Sequence, residues 1–204
     1  MDTRGDCIRV VHPLFQEEGS GSIPTSPLQL HIGLIDARQA CSLNARWHSR
    51  LPVLDWSNVV RCGWDYCFAA EYANVFYAAA IWTRPVSMSL NGRNWIELRR
   101  MAIADDAPKN TATRMLMVMK NHIRRHNKDV VKLISYQDTA VHAGTIYKAA
   151  GWTVGRTSKA GEQNWEKTHP RPSKVQSDAV KVRWEYDLKP NVIWANRPPG
   201  DKLA

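Results

Sequence analysis

The sequence predicts an α/β fold in which a mixed central sheet is flanked by helices and carries N- and C-terminal extensions. Of the 204 residues, 44% are apolar and 23% are charged, the proportions of a globular protein. Two strand-like runs, 65–72 and 75–82, are separated by the turn-forming pair Ala73 and Asn74, which predicts a hairpin. A strand, an amphipathic helix and another strand follow across 95–136, which predicts two parallel strands joined by a crossover helix.

The chain before the hairpin predicts an irregular arm followed by a helix. Residues 1–33 include the run EEGSGSIPTSPLQL, whose Gly, Ser and Pro residues predict an irregular N-terminal arm. A helix is predicted over 35–48, with Asp36 placed to cap its first turn. Its apolar residues share one helical face: Ile35, Ala40, Leu43 and Trp47.

Strands and helices alternate after the hairpin. The turn pair Asn91-Gly92 precedes a predicted strand at 95–103. A helix is then predicted over 112–127, since its apolar residues recur at i, i+3, i+4 spacing. They are Ala112, Met115, Leu116, Met119 and Ile123.

The predicted core spans residues 34–155 and ends in a second unit of strand, helix and strand. The strand covers 130–136, and the helix covers 142–150, with Gly151 as its C-cap. A last strand begins at Trp152.

Residues 156–204 form a basic, aromatic-containing C-terminal extension in this interpretation, with ten Lys and Arg residues against six acidic ones. Interleaved among the charges are Trp165, Trp184, Tyr186 and Trp194. Such a mixture is able to stack on bases and neutralise phosphates. The alternative is that these aromatic residues pack the extension onto the core.

The charge of the chain indicates a polyanionic partner. Its formal net charge is +9 and its isoelectric point is about 9.6, which favours nucleic acid. The longest apolar run, 75–82, is too short to cross a membrane, and the N-terminus lacks the pattern of a secretion signal. The four cysteines are too few for a disulfide scaffold. We therefore expect a cytoplasmic protein with nucleic acid as its partner and no membrane.

The segment APKNTA, 107–112, is a candidate phosphate site because it opens a helix directly after a strand. A helix N-terminus presents free N–H groups and the positive end of the helix dipole. Lys109 adds a charge, Asn110 tolerates the left-handed backbone conformation, and Thr111 adds a hydroxyl. The alternative is an ordinary capped helix.

Two segments together resemble the GCN5-related N-acetyltransferase (GNAT) superfamily. The motif A-x-x-x-Y-x-x-x-G-F of that superfamily is matched by Ala143, Tyr147, Gly151 and Trp152. Its pyrophosphate loop, R/Q-x-x-G-x-G/A, is matched only in part. Here Ala107 replaces the first residue and Asn110 replaces a glycine, while Ala112 fits the pattern.

A narrower resemblance explains that departure. The segments 84–87 (RPVS), 97–103 (ELRRMAI), 107–110 (APKN), 135–138 (SYQD) and 144–152 (GTIYKAAGW) look like the bacteriophage Mom family, an adenine-modifying branch of the superfamily. The resemblance implies an acyl-CoA cofactor such as acetyl-CoA, held by the Lys-Asn loop. The reaction it implies is placement of a carbamoylmethyl group on the exocyclic amine of adenine in phage DNA, which hides the genome from host restriction enzymes. The partner it implies is double-stranded DNA, in the host cytoplasm if a phage encodes the protein.

The same resemblance assigns roles to the candidate catalytic residues. Tyr147 is expected to donate a proton to the departing thiolate, although a tyrosine at a helix end often only spans core and solvent. Asp138 would accept the proton of the attacking amine or hold the base edge, unless it caps the next helix. Ser135 would orient the acyl oxygen. Arg100, in the E-L-x-R pattern, would bind phosphate or carboxylate. Arg99, at the opposite parity of the strand, is expected to face solvent or DNA, so that only one of the two arginines points to the site.

Other residues are candidates for binding metal or DNA. His48 is a candidate metal ligand or substrate contact, and the family resemblance implies iron as the metal. The alternative is a structural role, which is more common for a lone histidine. The residues expected to contact DNA are Arg99, Arg124, Arg125, Lys128 and Trp165.

Three functions fit these patterns. The first is modification of adenine in DNA. The second is an N-acetyltransferase acting on a small amine or a protein, and the third is a DNA-binding module without catalysis.

Overall fold

The computed structural model describes residues 23–48, 52–90, 92–158 and 179–188, and these form one mixed sheet flanked by helices. The strands are β1 His31–Leu34, β2 Tyr66–Tyr72, β3 Val75–Thr83, β4 Trp95–Ile103, β5 Lys132–Asp138, β6 Thr153–Thr157 and β7 Lys181–Asp187. The α-helices are α1 Ala37–Trp47, α2 Trp56–Cys62, α3 Thr111–His126 and α4 Thr145–Ala149. The order of strands in the sheet is β1-β2-β3-β4-β5-β7-β6. The predicted α/β class is confirmed.

The hairpin of β2 and β3 forms at the predicted turn. Ala73 and Asn74 both adopt positive φ, 49° and 63°, the conformation that a two-residue hairpin turn with the right twist requires. The β3 side chains from Tyr77 onward are all buried. The hairpin thus forms the centre of one half of the sheet.

The first two helices cover that half. Asp36 caps α1 as predicted, since its carboxylate accepts a hydrogen bond from the Gln39 amide at 2.8 Å. Ala40 and Cys41 of α1 pack in a cluster with Ile81 of β3. Helix α2 was not predicted because it is seven residues long and buries only Val59, which leaves no apolar period to detect.

Helix α3 crosses between β4 and β5, which pair in parallel as predicted. Four of the five residues in its predicted apolar stripe are fully buried against the sheet, and Trp82 on β3 donates a hydrogen bond from its indole Nε1 to Met119 Sδ at 3.1 Å. Met115, Leu116, Met119 and Ile123 are each 0% exposed. Burial of these four side chains fixes α3, and therefore its N-terminus, relative to the strands.

Both predicted extensions contribute to the sheet. Strand β1, whose first three residues belong to the predicted arm 1–33, pairs antiparallel with β2. Strand β7 lies within the predicted extension 156–204, yet it is inserted between β5 and β6. Trp184 of β7 is 3% exposed, so its ring belongs to the core and is not free to stack on a base.

The sheet opens between its two central strands. Strands β4 and β5 pair only from Trp95↔Lys132 to Leu98↔Ser135. Beyond those four pairs β4 continues alongside β3, and β5 continues alongside β7. The two strands therefore diverge, and the facing backbone groups beyond Leu98 are left without a partner strand. None of the described helices is long and apolar enough to cross a membrane.

We predict that Gly144→Ala destabilises the fold more than Gly92→Ala does. Both glycines have positive φ, 72° and 76°, so each substitution strains the backbone by about 1–2 kcal/mol. At Gly144 the new Cβ would also lie 2.5 Å from Gln137 Oε1 and 2.7 Å from Trp184, whereas nothing lies within 4 Å at Gly92. Overpacking adds about 1–3 kcal/mol. Urea unfolding measures both; equal losses of unfolding free energy would contradict the close packing at Gly144.

Candidate functional site

A cavity of about 770 Å³ lies where β4 and β5 diverge. It brings together seven of the fifteen candidate site residues that the sequence singled out. These are His48 from the end of α1, Arg99 and Arg100 from β4, Ala112 from α3, Ser135 and Asp138 from β5, and Tyr147 from α4. The open part of the sheet is therefore the candidate active site.

Tyr147 forms one wall of this cavity and is held on three sides. Its hydroxyl lies 2.8 Å from Ser135 Oγ, and either group is able to donate that hydrogen bond. Its ring stacks on Trp184, with centroids 5.4 Å apart and planes 14° apart. Trp152 meets the ring edge-on at 5.7 Å. These contacts leave the phenol a single orientation, with its oxygen at β5.

The phenol of Tyr147 is suited to donating a proton. Burial raises its pKa above the ordinary value of 10.0, and the hydrogen bond with Ser135 opposes that rise only in part. The group is therefore protonated throughout the neutral range. It is able to release its proton to a strong base formed beside it, such as a thiolate.

Side chains reach the cavity from both faces of the sheet. Ser135 faces Tyr147, so the alternation along a strand places Asp138 on the opposite face, where α1 packs. Arg100 lies on that second face too, because its partner on β3 is Ile81, which packs beneath α1. A proton donor and a candidate proton acceptor thus approach the gap from opposite sides.

Asp138 ends β5 and orders the turn that follows. Its Oδ1 accepts a hydrogen bond from the Ala140 amide at 3.0 Å, and α4 has Gly144 as its N-cap. The predicted alternative, that Asp138 caps the next helix, is therefore replaced by a local turn. Asp138 lines the cavity and lies opposite Lys181 of β7 in the register.

Arg99 and Arg100 both line the cavity, whereas their parity predicted that only one would. The cause is a β-bulge, in which Ile81 pairs with Arg100 and Trp82 with Leu98, so that Arg99 is the extra residue. Arg99 donates from Nη1 to Cys62 Sγ at 3.6 Å. Arg100 donates from Nη1 to the Arg99 carbonyl oxygen, but no described residue accepts from its buried Nε. That unused donor indicates a ligand with an oxygen acceptor.

Glu97 is a site residue that the sequence reasoning did not assign. It lines the cavity and accepts a hydrogen bond from the Val86 amide at 3.1 Å through Oε2. Burial raises its pKa, and the charges of Arg99 and Arg100 oppose that rise. A carboxylate with a raised pKa is a candidate proton acceptor beside Asp138. The available signal was the ELRR motif, which places this acid two and three residues before the arginines.

The N-terminus of α3 is open. Asn110 is its N-cap with a left-handed backbone, φ 68°, and its side chain makes no capping hydrogen bond. Thr111 is tied down locally, since its hydroxyl donates to the Pro108 carbonyl oxygen at 2.7 Å. No described residue accepts a hydrogen bond from the amides of Ala112 and Thr113. This end therefore lacks a side-chain cap, and its two free amides are able to bind an anion beside the cavity.

This arrangement fits a coenzyme A thioester. The free backbone amides at the start of α3 are able to donate hydrogen bonds to the diphosphate of coenzyme A. Exposed Lys109 adds a positive charge there, and Ala107 lies in the preceding loop. The unpaired backbone edge of β4 offers hydrogen-bonding groups to an extended arm between the loop and Tyr147. The residues present therefore fit the cofactor that the sequence predicts.

His48 does not belong to a metal centre in the part of the chain that the structure describes. Its amide donates to the Asn44 carbonyl oxygen at 2.8 Å, which ends α1. Burial and the nearby charge of Arg100 lower its pKa below 6.5, so the imidazole is neutral at pH 7. Among described residues, no three His, Cys, Asp or Glu side chains converge on one point. His48 lines the cavity, and we derive no step through iron.

The candidate DNA contacts on α3 lie away from the cavity. Arg124 and Arg125 are exposed in its last turn, about 18 Å along the helix axis from Ala112. Lys128 follows and donates from Nζ to the Arg124 carbonyl oxygen at 3.2 Å. Trp165, the remaining predicted contact, lies outside the described residues.

Comparison with known proteins decides the family. A model of the Mom protein family matches residues 72–191, which include the cavity residues of β4, β5 and α4. The chain belongs to the Mom protein family. No curated protein sequence matches it.

Solved structures show that this Mom family member has the GNAT fold. It resembles the ribosomal-protein-S18-alanine N-acetyltransferase of Escherichia coli, with 12% identity, TM-score 0.55, and coverage of 86% of this chain and 99% of that one. It also resembles an N-acetyltransferase of Staphylococcus aureus, with 12% identity, TM-score 0.56, and coverage of 78% and 97%. A third is a Bacillus subtilis acetyltransferase solved in complex with CoA, with 12% identity, TM-score 0.50, and coverage of 78% and 98%. At these identities the likeness establishes the fold.

We predict that the Tyr147 phenol titrates above pH 10 and that Ser135→Ala raises its pKa further. The wild-type value is raised by burial, and the substitution removes the one hydrogen bond that opposes the rise. The measurement is the ring-carbon NMR shift of labelled tyrosine, assigned with Tyr147→Phe. A Tyr147 pKa that falls in Ser135→Ala would contradict the geometry of the pair.

Proposed function

We propose that this protein transfers an acyl group from a coenzyme A thioester to the exocyclic N6 amine of adenine in DNA. The direct product of this transfer is an N6-acyl adenine; like the carbamoylmethyl group that the family resemblance implies, it would protect phage DNA from host restriction enzymes in the host cytoplasm. One observation carries the catalytic part of this proposal. The buried Tyr147 and Ser135 pair lies in the same cavity as the first turn of α3, whose N-terminus is uncapped.

The proposal divides the cavity between the two substrates. On the α3 side, Lys109, Asn110 and Thr111 shape the loop, and the amides of Ala112 and Thr113 hold the diphosphate. The thioester supplies an activated carbonyl carbon next to Tyr147. On the α1 side, Asp138, Arg100 and His48 face the entering base.

The chain's own groups then handle the protons of an acyl transfer. Asp138 accepts a proton from the amine as the N6–C bond forms, with Glu97 as the other carboxylate within the cavity. Ser135 donates to Tyr147 or to the acyl oxygen, and Tyr147 gives its proton to sulfur as the C–S bond breaks. Arg100 uses its free Nε–H to hold an oxygen of the substrate. These roles stabilise the transition state by positioning and proton transfer.

Charge supports nucleic acid as the acceptor. The net charge of +9 raises the local concentration of DNA, and the exposed Arg124 and Arg125 add to that long-range attraction. Arg99, at the bulge, is placed to meet a phosphate near the cavity. An adenine within a duplex must leave the stack to enter the cavity, which costs a few kcal/mol that phosphate contacts have to offset.

A second candidate is N-acetylation of a small amine or a protein, because solved relatives of the same fold carry that activity in their names. The two candidates differ in acceptor and share the donor side of the cavity. Nucleoside analysis distinguishes them directly.

We predict that DNA from cells expressing the protein contains a deoxyadenosine heavier by the transferred group and resists adenine-sensitive restriction enzymes. Tyr147→Phe and Asp138→Ala should each lower the modified fraction by about 10²–10³-fold, the usual contribution of a positioned acid or base. Both should bind DNA nearly as the wild type does. Nucleoside mass spectrometry and gel-shift titration make the two measurements.

Unmodified deoxyadenosine together with turnover of acetyl-CoA on another amine would favour the second candidate. Equal losses of DNA binding and modification in both variants would contradict the separation of binding from chemistry.

A further inference from the structure

A second, smaller cleft opens beside the active-site cavity. It has a volume of about 140 Å³, the space of four or five waters and enough for a phosphate group. We call it the cation–serine cleft; it is lined by Ser87, Ser89, Tyr136, Arg156, Ser158, Lys181 and Arg183. Tyr136 and Lys181 also line the cavity, so the two spaces adjoin.

The cation–serine cleft carries a concentrated positive charge. Its described lining contains three cations and no carboxylate. Arg156 on β6 is the direct cross-strand partner of Arg183 on β7, and like charges at that position destabilise a sheet unless an anion offsets them. Glu185 offsets Arg183, with its Oε1 2.8 Å from Arg183 Nε. Among described residues, none forms an ion pair or hydrogen bond with the Arg156 guanidinium.

Hydroxyl groups complete the lining with neutral donors. Ser87 Oγ lies 2.9 Å from Ser89 Oγ, so one of the two hydroxyl protons remains free to donate elsewhere. Ser158 is fixed in the sheet, where its Oγ accepts from the Lys181 amide at 2.9 Å and donates to the Lys181 carbonyl oxygen at 3.2 Å, so the free serine donor comes from the Ser87 and Ser89 pair. Arginine, lysine and serine donors around one small space suit a phosphate, whose oxygens accept several hydrogen bonds at once.

The position of the cleft separates it from the coenzyme phosphates. Tyr136 and Arg183 are paired in the sheet, one residue along from the pair Ser135 and Trp184. Since Ser135 and Trp184 contact Tyr147, the cleft lies on the opposite face of the sheet. Asp138 lies on the same face as the cleft, where the base is proposed to enter. The N-terminus of α3 lies on the other face, with Tyr147.

We propose that the cation–serine cleft binds a DNA phosphodiester next to the target adenine and so fixes the strand while the base enters the cavity. This assignment rests on the proposed function, because it takes DNA as the acceptor. Arg156 makes the main contact, and Lys181 and the Ser87 and Ser89 pair assist it. Of the cleft residues, only Ser87 and Tyr136 fall within the segments that carry the family resemblance, 84–87 and 135–138.

The first test compares Arg156→Ala with Lys148→Ala. Both substitutions remove one exposed positive charge, but Lys148 lies on α4, over the other face of the sheet. Fluorescence anisotropy with a labelled duplex over a salt series should show Arg156→Ala about tenfold weaker, with a salt slope reduced by about 1. Lys148→Ala should change both much less, and Arg156→Lys should restore most of the slope. Thermal unfolding verifies that all variants remain folded.

The second test locates the contact with methylphosphonate substitutions, which remove the charge of one phosphate at a time. In the wild type, one substitution near the target adenine should weaken binding about tenfold, and in Arg156→Ala the same substitution should have no further effect. The variant Arg124→Ala/Arg125→Ala should bind more weakly overall but remain sensitive to that phosphate.

The outcomes separate the two proposals. If the wild type binds and modifies DNA while Arg156→Ala behaves like Lys148→Ala, the cleft assignment is overturned and the proposed function stands. If Arg156→Ala weakens acetyl-CoA binding and leaves DNA binding unchanged, the cleft serves the coenzyme and the assignment is again overturned. If the wild type neither binds nor modifies DNA, both proposals are wrong.

Discussion

The short pairing between β4 and β5 is the constraint on which the rest of the structure depends. Their parallel ladder ends after Leu98↔Ser135, and each strand then follows another neighbour. A bulge at Arg99 turns β4 at the same level. Unpaired backbone groups and a cavity of about 770 Å³ follow from this divergence. If β4 and β5 paired along their full length, no cavity would lie between the candidate residues.

The opening between β4 and β5 also lets side chains from both faces of the sheet reach the same cavity. Tyr147 reaches the gap from the face covered by α3 and α4, while Asp138 and Arg100 reach it from the face covered by α1. The proposed transfer between coenzyme A and DNA would use both faces, because each large substrate needs its own approach to the reacting atoms. Strand β7 connects the cavity to the cation–serine cleft. Its Trp184 stacks on the Tyr147 ring, and its Arg183 lines the cleft.

Much of this architecture could be predicted from the sequence. The β2–β3 hairpin, β4 and α3 have strong local signals, namely a turn pair, a strand-like run and an apolar stripe. Strand β7 was missed although Val182, Trp184 and Tyr186 alternate with charges, because its composition also fits a nucleic-acid-binding tail. The bulge that brings both Arg99 and Arg100 to the cavity, and the distance of α3's basic end from it, depend on strand register and packing that short-range patterns do not encode.

The central claim is that a thioester lies in the gap between β4 and β5 with its sulfur beside Tyr147. A crystal structure of the protein with bound coenzyme A tests this most directly. The account predicts the diphosphate on the amides of Ala112 and Thr113, and the sulfur within hydrogen-bonding reach of the Tyr147 hydroxyl, about 3–4 Å. Coenzyme A bound elsewhere, or with its sulfur on the far side of the sheet from that hydroxyl, would contradict it.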